Sequence, residues 1–402
     1  MHLGSTHTTY DVVIVGMGPA GATAAATLSR GGLAVLGLDK EAHPRYKVCG
    51  GGLSARVDQL LEPEFHSVVE HRVNGVQFVY CGQDPLLIES AQPIAYMVMR
   101  DRFDHYLVRQ AVCAGSEIRN GEGVVGVRQG SDGVEVATEQ GRYRAKIVIG
   151  ADGANSVVAR HLFPKRSLYR APALESEVFI GDDRHFPSPT TILVDVGAAS
   201  HGYGWIFPKQ GRLSVGVGEF RRKSTGLRET FDRFVRGARG LTGLAVPRPV
   251  GHPIPAFSEG EDGQGERKDG QFVNGRACLV GDAGHLVDPL FGEGIYYAIR
   301  SGQLAARAIL ANAHDHRLSL AEYQAALDRD ILPDFRVTAR IARVIYAFPR
   351  LGFKLLRRYQ DVVRSYFEVL QGRITAERFL AETKTRLKTS VNDLLLEALY
   401  LR

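Results

Sequence analysis

YDVVIVGMGPAGATAAATLSRGGLAVLGLDK, residues 10–40, decides the fold. Residues 11–15 form a short apolar run, the pattern of a strand buried on both faces. Gly16, Gly18 and Gly21 then supply a GxGxxG turn. The first glycine permits a tight turn, the second lets backbone approach a pyrophosphate, and the third lets helix and strand pack closely. The alanine-rich segment 20–28 is a good helix former whose N-terminus can face phosphates. Residues 33–38 read as the next strand, and Asp39 at its end is placed to accept a hydrogen bond from a ribose hydroxyl. The glycines alone are a weak signal. With a strand before them, a helix after them and an acid at the second strand's end, they specify a dinucleotide-binding unit, without separating FAD from NAD.

Outward from this unit, the bulk numbers set limits. A chain of 402 residues, 44% hydrophobic, can bury a large core divided among two or three lobes. Its 45 glycines follow no collagen-like period and point to tight turns and close backbone approaches. There is no charge-poor apolar run of about 18 residues, so a spanning helix is not expected. MHLGSTHTT lacks the apolar core of a signal peptide and leads straight into a strand, so a cytoplasmic chain is expected. Cys49, Cys81, Cys113 and Cys278 are far apart and lack both CxxC and zinc-ligand spacing. Neither a disulfide framework nor a metal site follows from them.

Two later segments carry a resemblance. RYRAKIVIGADGANSVVARH (142–161) runs from an apolar strand into Asp152-Gly153 and a helical start. GRACLVGDAGHLVDPLFGEGIYYAIRSGQLAARAI (275–309) has a strand, the Gly281-Asp282 pair, a glycine-containing loop and a long helix. Together with the N-terminal turn they resemble the large flavoprotein class that includes aromatic hydroxylases, which implies FAD. By that resemblance Asp282 contacts the ribityl or pyrophosphate groups, and Gly292 and Gly294 open backbone beside the isoalloxazine. Arg102, in MRDRFDHYLVRQA, is a further FAD contact by the same resemblance, with Arg100 as the alternative. In the plainer reading Asp152 and Asp282 are helix caps and Arg102 is a surface ion pair.

The expected architecture is α/β: a Rossmann-like FAD-binding domain, an inserted antiparallel β-sheet substrate lobe and a C-terminal helical region. The FAD-binding domain is expected in three parts, 1–72, 97–165 and 272–314. Residues 73–96 and 166–271 build the substrate lobe, and 315–402 the helical region. The β-rich runs 73–80, 173–180, 190–197, 203–209 and 212–220 suggest the antiparallel sheet, with Pro208 ending one strand and Lys209 near solvent. The polar, glycine-rich stretch 257–272 reads as an exposed loop. Pro333 and Pro349 begin or kink helices. Between Arg336 and Arg364 stand eight Lys/Arg and one acid, Asp361, interleaved with apolar residues. Such helices either lie on an anionic membrane or pack their apolar side on the sheet. No nucleic-acid-binding motif accompanies the basic residues.

YKVCGGGLS (46–54) and GYGWIFPKQGRLSVGVG (202–218) bear on the substrate. Tyr203, Trp205 and Phe207 alternate along a strand and share a face, so the three rings suit a core or an apolar pocket wall. With the N-terminal fingerprint and GDAGHLVDPLFGEGIYYAIRSG, these segments resemble the geranylgeranyl reductase family of FAD enzymes over roughly the first 310 residues. Ser200 stands where that family often has a proline. The resemblance implies reduction of carbon–carbon double bonds in a geranylgeranyl or other polyprenyl chain on a lipid, quinone or pigment precursor. An isolated alkene has no carbonyl to polarise, so reduced flavin must supply hydride and an acid or water the proton. Cys49, Tyr203 and Trp205 are the candidates at the reacting face. Gly52, Tyr203, Trp205 and Phe207 are candidates for the substrate pocket. Gly16, Gly18, Pro19, Ala20, Gly21, Asp39, Lys40, Cys49, Gly50, Gly51, Arg102, Asp152, Asp282, Gly292, Gly294 and Ile295 are candidates for FAD contact. His285 and Asp288 read as local structure, and spacing identifies no acid or base. NADPH or a ferredoxin-like protein is the expected electron donor, since no second fingerprint stands out. A related hydroxylase or halogenase is the competing class, although the halogenase segment Trp-x-Trp-x-Ile-Pro is absent.

Overall fold

The computed structural model describes residues 9–164, 170–181, 188–221, 224–258, 271–313 and 318–385. Most of the polar stretch 257–272 and the chain beyond residue 385 lie outside the described residues.

The quoted segment forms the strand Thr9–Val15, the helix Pro19–Arg30 and the strand Val35–Asp39. The two strands run parallel, with Val12 opposite Val35. They belong to an eight-stranded sheet whose path is Val273–Asn274, Ala277–Leu279, Arg142–Gly150, Thr9–Val15, Val35–Asp39 and Glu117–Asn120. Val124–Gln129 and Val134–Thr138 add an antiparallel arm on Arg142–Gly150. The order is non-sequential because the central strands need crossover connections to run parallel. Both faces are covered, which explains why Val12, Val13 and Ile14 are all fully buried.

A second, seven-stranded sheet runs Val250–Ile254, Ala171–Phe179, Arg212–Glu219, Gly202–Lys209, Thr191–Asp195, Gly75–Tyr80 and Gln83–Glu89. It is antiparallel except where Thr191–Asp195 meets Gly75–Tyr80 in parallel. Those two strands come from separate insertions joined by a long stretch of chain, so no hairpin fixes their direction. A small three-stranded sheet, Gly52–Ser54, Ala95–Val98 and Val69–Val73, bridges the two larger ones.

Pro208 does not end its strand. Gly202–Lys209 continues past it, with Pro208 opposite Leu213 and the turn made at Gln210-Gly211, where Gly211 has φ +67°. Lys209 is therefore buried at 2% exposure rather than near solvent, held by Glu177 at 2.5 Å.

In the C-terminal region, Leu332–Ala347 and Pro349–Arg358 are helices, each with a proline in its first turn, and Gln360–Leu370 follows. Ala342, Tyr346, Phe353, Val363 and Phe367 pack into one apolar cluster with Val76, Phe78, Val194 and Trp205 of the seven-stranded sheet. Packing on the sheet is thus realised, although a different side of these helices stays exposed.

The helix Ile295–Ala311 lies against Pro19–Arg30 so closely that a Cβ on Gly302 would sit 2.3 Å from the Ala20 carbonyl oxygen. A Cβ on Gly237, by contrast, meets nothing within 4 Å. Gly302→Ala is expected to lower unfolding free energy by about 1–3 kcal/mol through overpacking, with Gly237→Ala near neutral. Equal melting temperatures for the two variants would refute this account of the helix contact.

Candidate active site

One cavity of about 880 Å³ runs from the glycine turn to the C-terminal helices. Its first end is built by Gly16, Gly18, Pro19, Ala20, Asp39, Lys40, Asp152 and Asp282. Gly16 is constrained by packing: its φ is +93°, and a Cβ there would lie 2.4 Å from the Ala151 carbonyl oxygen. Gly21 is similarly fixed, 1.9 Å from the Gly16 carbonyl by the same measure, but it does not line the cavity. Gly18 is different. A Cβ on it would meet only the Arg45 guanidinium, at 3.8 Å, so the surrounding protein does not require glycine there. The space it leaves opens into the cavity at the N-terminus of Pro19–Arg30. A guanidinium beside the positive end of a helix dipole is unfavourable without an anion between them, so this corner fits a phosphate group.

Asp39 accepts hydrogen bonds from the Met17 amide at 2.8 Å and the Glu41 amide at 2.9 Å, with His43 at 3.4 Å. Burial opposes its charge, yet these partners hold its pKa below the usual carboxylate value. Its oxygens therefore brace the turn while one edge lines the cavity. Asp152 also braces the backbone. It accepts from Ser156 at 2.5 Å and from the Val157 amide at 2.6 Å, at the start of the helix Val157–Leu162.

The structure does not bring Arg102 to the cavity. Its side chain is 64% exposed and pairs with Glu70 at 3.1 Å. Arg100, two residues earlier, points inward because the first turn of its helix faces the core. It lines the cavity and makes two hydrogen bonds to fully buried Asp104, at 2.7 and 2.8 Å. Arg45 reaches the same carboxylate at 3.0 Å. Burial opposes the charge on Asp104, but the two guanidinium groups prevail and keep it ionised. Lys47 meets His252 at 3.1 Å. Burial, then the nearby Lys47, pushes His252 down to about 4, so its imidazole is neutral at physiological pH. Sequence reasoning does not find Arg45, Lys47 and His252; its only hint is the pair of cations just ahead of the glycine run.

The loop Cys49–Gly52 forms the middle of the cavity. Its glycines answer to protein neighbours. A Cβ on Gly50 would lie 3.0 Å from the Phe207 ring, and one on Gly51 would lie 2.1 Å from the Val98 carbonyl oxygen. The Cys49 carbonyl is 3.4 Å from Lys209 Nζ.

Opposite stands the aromatic wall. Tyr203, Trp205 and Phe207 all line the cavity, with ring centroids 5.9 and 6.3 Å apart in succession. The Tyr203 hydroxyl donates to the Phe291 carbonyl and the Tyr346 hydroxyl to the Leu290 carbonyl. Asp288 accepts from the Leu290 and Phe291 amides, both at 2.9 Å. These bonds fix the loop that carries Gly292, Gly294 and Ile295 to the cavity. Burial raises Asp288 to about 6. Glu293 ties the loop to the glycine segment, accepting from the Ser54 amide at 3.1 Å and pairing with Arg56 at 2.6 Å. Beyond the wall the lining turns apolar, through Val76, Phe78 and Ile192 to Ile341, Ile345 and Phe367.

An FAD-binding domain family matches residues 9–319. Digeranylgeranylglycerophospholipid reductase 1 of Methanopyrus kandleri is 30% identical over 389 residues, covering 90% of this chain and 96% of that protein. Among solved structures, a geranylgeranyl bacteriochlorophyll reductase-like protein from Thermoplasma acidophilum superposes with a TM-score of 0.73 at 22% identity, over 96% of this chain and 99% of its own. A flavin-dependent brominase gives 0.70 at 20% identity, over 95% and 100%. The two structural likenesses concern the fold.

Gly18→Ala separates packing from cofactor contact. The variant is expected to melt within about 1 °C of the parent without cofactor, because the site tolerates a methyl, and to lose about tenfold or more in FAD affinity. Unchanged FAD retention would remove Gly18 from the cradle.

Proposed function

This chain belongs to the geranylgeranyl reductase family of FAD-dependent oxidoreductases, and on that premise we propose that it hydrogenates carbon–carbon double bonds of a geranylgeranyl or other polyprenyl chain carried by a lipid, quinone or pigment precursor. The observation that supports this reading is the continuity of the cavity: a phosphate-ready corner, a glycine loop against aromatic rings, and an apolar arm beyond them. Bound FAD, once reduced by NADPH or a ferredoxin-like protein, supplies the hydride that an unpolarised alkene needs.

The chain's own residues play three parts in this reading. Gly18, Arg45 and the N-terminus of Pro19–Arg30 hold the pyrophosphate, with Lys47, Arg100 and Asp282 lining the approach to it. Tyr203, Trp205 and Phe207 press the isoprenoid flat against one side, orienting the double bond and excluding water. Ile192, Ile341, Ile345 and Phe367 take up the remaining chain by burying its methylenes. A monooxygenase or halogenase would use the same scaffold, and the brominase likeness keeps that class as the alternative.

We also propose that the C-terminal helices rest on an anionic membrane surface. No helix among the described residues is long and apolar enough to cross a bilayer. Val344, Phe348, Leu351 and Leu355 recur at helical spacing, yet they are 53%, 61%, 51% and 41% exposed. Arg340, Arg343, Arg350 and Lys354 are exposed among them. Their neighbours Ile341, Ile345 and Leu356 line the apolar arm, so a prenyl chain would have a short path from lipid to site.

Two measurements check these readings. Anaerobically reduced protein mixed with prenyl diphosphates, prenylated lipids and quinones is expected to reoxidise and yield products heavier by about 2 Da per reduced bond. Reoxidation only by oxygen, with an oxygen atom in the product, would favour the monooxygenase class instead. In vesicle sedimentation, binding to phosphatidylglycerol-containing vesicles is expected to exceed binding to phosphatidylcholine by about tenfold or more and to weaken with salt. A double variant Leu351→Glu and Leu355→Glu should abolish most of that binding. Equal binding to both vesicle types, untouched by the double variant, would refute the membrane contact.

A further inference from the structure

Glu175 is a buried carboxyl with no structural role comparable to those of Asp39, Asp104 or Asp288. It lies in the strand Ala171–Phe179, is 4% exposed and lines the cavity. Its Oε1 makes no hydrogen bond among the described residues. The sheet register places it beside the aromatic wall: Glu175 is opposite Gly216, and Gly216 is opposite Trp205. Residues directly opposite one another on paired strands point to the same face, so the three form one row. Gly216 has no side chain to separate them, and a Cβ there would lie 2.1 Å from the indole. The indole therefore lies across the gap toward Glu175. Trp205 Nε1 donates to Ser214 Oγ at 3.2 Å, and Ser214, two residues from Gly216 on the same strand, shares the face that carries Glu175 and the indole.

The charged groups around Glu175 do not neutralise it as a fixed ion pair. Lys209 is committed to Glu177. Lys47 faces Glu175 from the loop ahead of Cys49 but is drawn to His252. Burial first, with the like charge of Glu177 added, outweighs the pull of both lysines and raises Glu175 to about 7. The half-exposed Tyr46 lies close enough for its phenol to feel both Glu175 and Glu177, which places solvent on the far side of the cluster.

Resting on the reductase reading above, we propose that Glu175 is the proton source of the reaction. Its carboxyl O–H bond breaks as one alkene carbon takes the proton, while the other carbon receives hydride from the reduced cofactor. The carbon–carbon π bond is consumed, two C–H bonds form, and the cofactor is left oxidised. The carboxylate then recovers a proton from water past Tyr46, and the cofactor would be reduced again either by hydride from a nicotinamide or by two single electrons from a ferredoxin-class donor with a proton from solvent. Apolar surroundings serve this role twice, since they raise the carboxyl's affinity for its proton and keep competing water from the carbon.

Glu175→Gln keeps the shape and removes the transferable proton. FAD content, melting temperature and cofactor reduction by dithionite are expected to match the parent, while product formation falls about 10²-fold or more. Glu175→Asp should retain part of the activity. Turnover of the parent is expected to decline as pH rises through about 7, the range where Glu175 ionises, and the residual rate of Glu175→Gln should lack that limb. Infrared titration of the cofactor-free protein supplies a second readout: beside the Asp288 carboxyl band lost near pH 6, a protonated carboxyl band lost near pH 7 in the parent and missing in Glu175→Gln. A Gln variant with parental rate and pH profile, or one that keeps the band lost near pH 7, overturns the proposal while leaving the reductase reading standing. Absence of any reduced isoprenoid product from the parent overturns both.

Discussion

A methyl group on Gly21 would stand 1.9 Å from the carbonyl oxygen of Gly16. That near-contact sets the distance between the first helix and the first strand, and most of the site follows from it. It puts the free amides of Pro19–Arg30 at the end of the cavity, where no side chain stands between them and a bound group. It also brings the helix within reach of Ile295–Ala311, whose Gly302 packs on the Ala20 carbonyl. Because that second helix begins at Gly294, the same packing fixes the loop that closes the cavity's other wall. One steric constraint thus places two helix N-termini around a single space.

The aromatic wall depends on a different kind of closeness. Gly216 lets the Trp205 indole lie flat across the sheet, and Gly50 lets Phe207 reach the Cys49 loop. Tyr203 and Tyr346 then spend their hydroxyls on the carbonyls of Phe291 and Leu290. Their rings stack on either side of Phe220, with centroids 5.9 and 5.3 Å from it. Each tyrosine presents an apolar body to the cavity cluster and a polar tip to a loop that needs donors. Wall and loop therefore hold each other, and the C-terminal helix carrying Tyr346 becomes part of the site.

Local pattern reveals what local physics decides. The GxGxxG turn, the alternation of Tyr203, Trp205 and Phe207 and the proline-started helices are short-range features, and each is legible in the sequence. Arg102 and Arg100 are not separable there, because the outcome rests on which face of the helix meets the core and on Asp104, a partner whose burial no spacing records. Lys209 follows Pro208 in sequence and so reads as solvent-facing; cross-strand pairing with Arg212 and an ion pair with Glu177 carry it inside. The apolar arm is hidden for a similar reason. Its residues come from strands and C-terminal helices far apart in the chain, and a basic amphipathic helix has the same pattern whether it covers a cavity or a membrane. Here one side of the helices does the first, and Phe348, Leu351 and Leu355 remain outside it.

The buried carboxyls divide the cavity by partner rather than by depth. Asp104 is fully buried yet ionised because Arg100 and Arg45 both reach it. Asp39 stays ionised on two amides and an imidazole. Asp288 has two amides but feels Glu293, and burial raises it to about 6. Glu175 has an unpartnered Oε1 and a like-charged neighbour, and burial raises it to about 7. Burial penalises charge in all four, so the sign of the outcome lies in what donates to them. The ionised pair sits at the phosphate-ready end, where Asp104 anchors Arg100 and Arg45 against the cavity and Asp39 braces the turn. The carboxyl that keeps its proton longest sits one glycine away from the indole, where an apolar chain would leave no water to supply one.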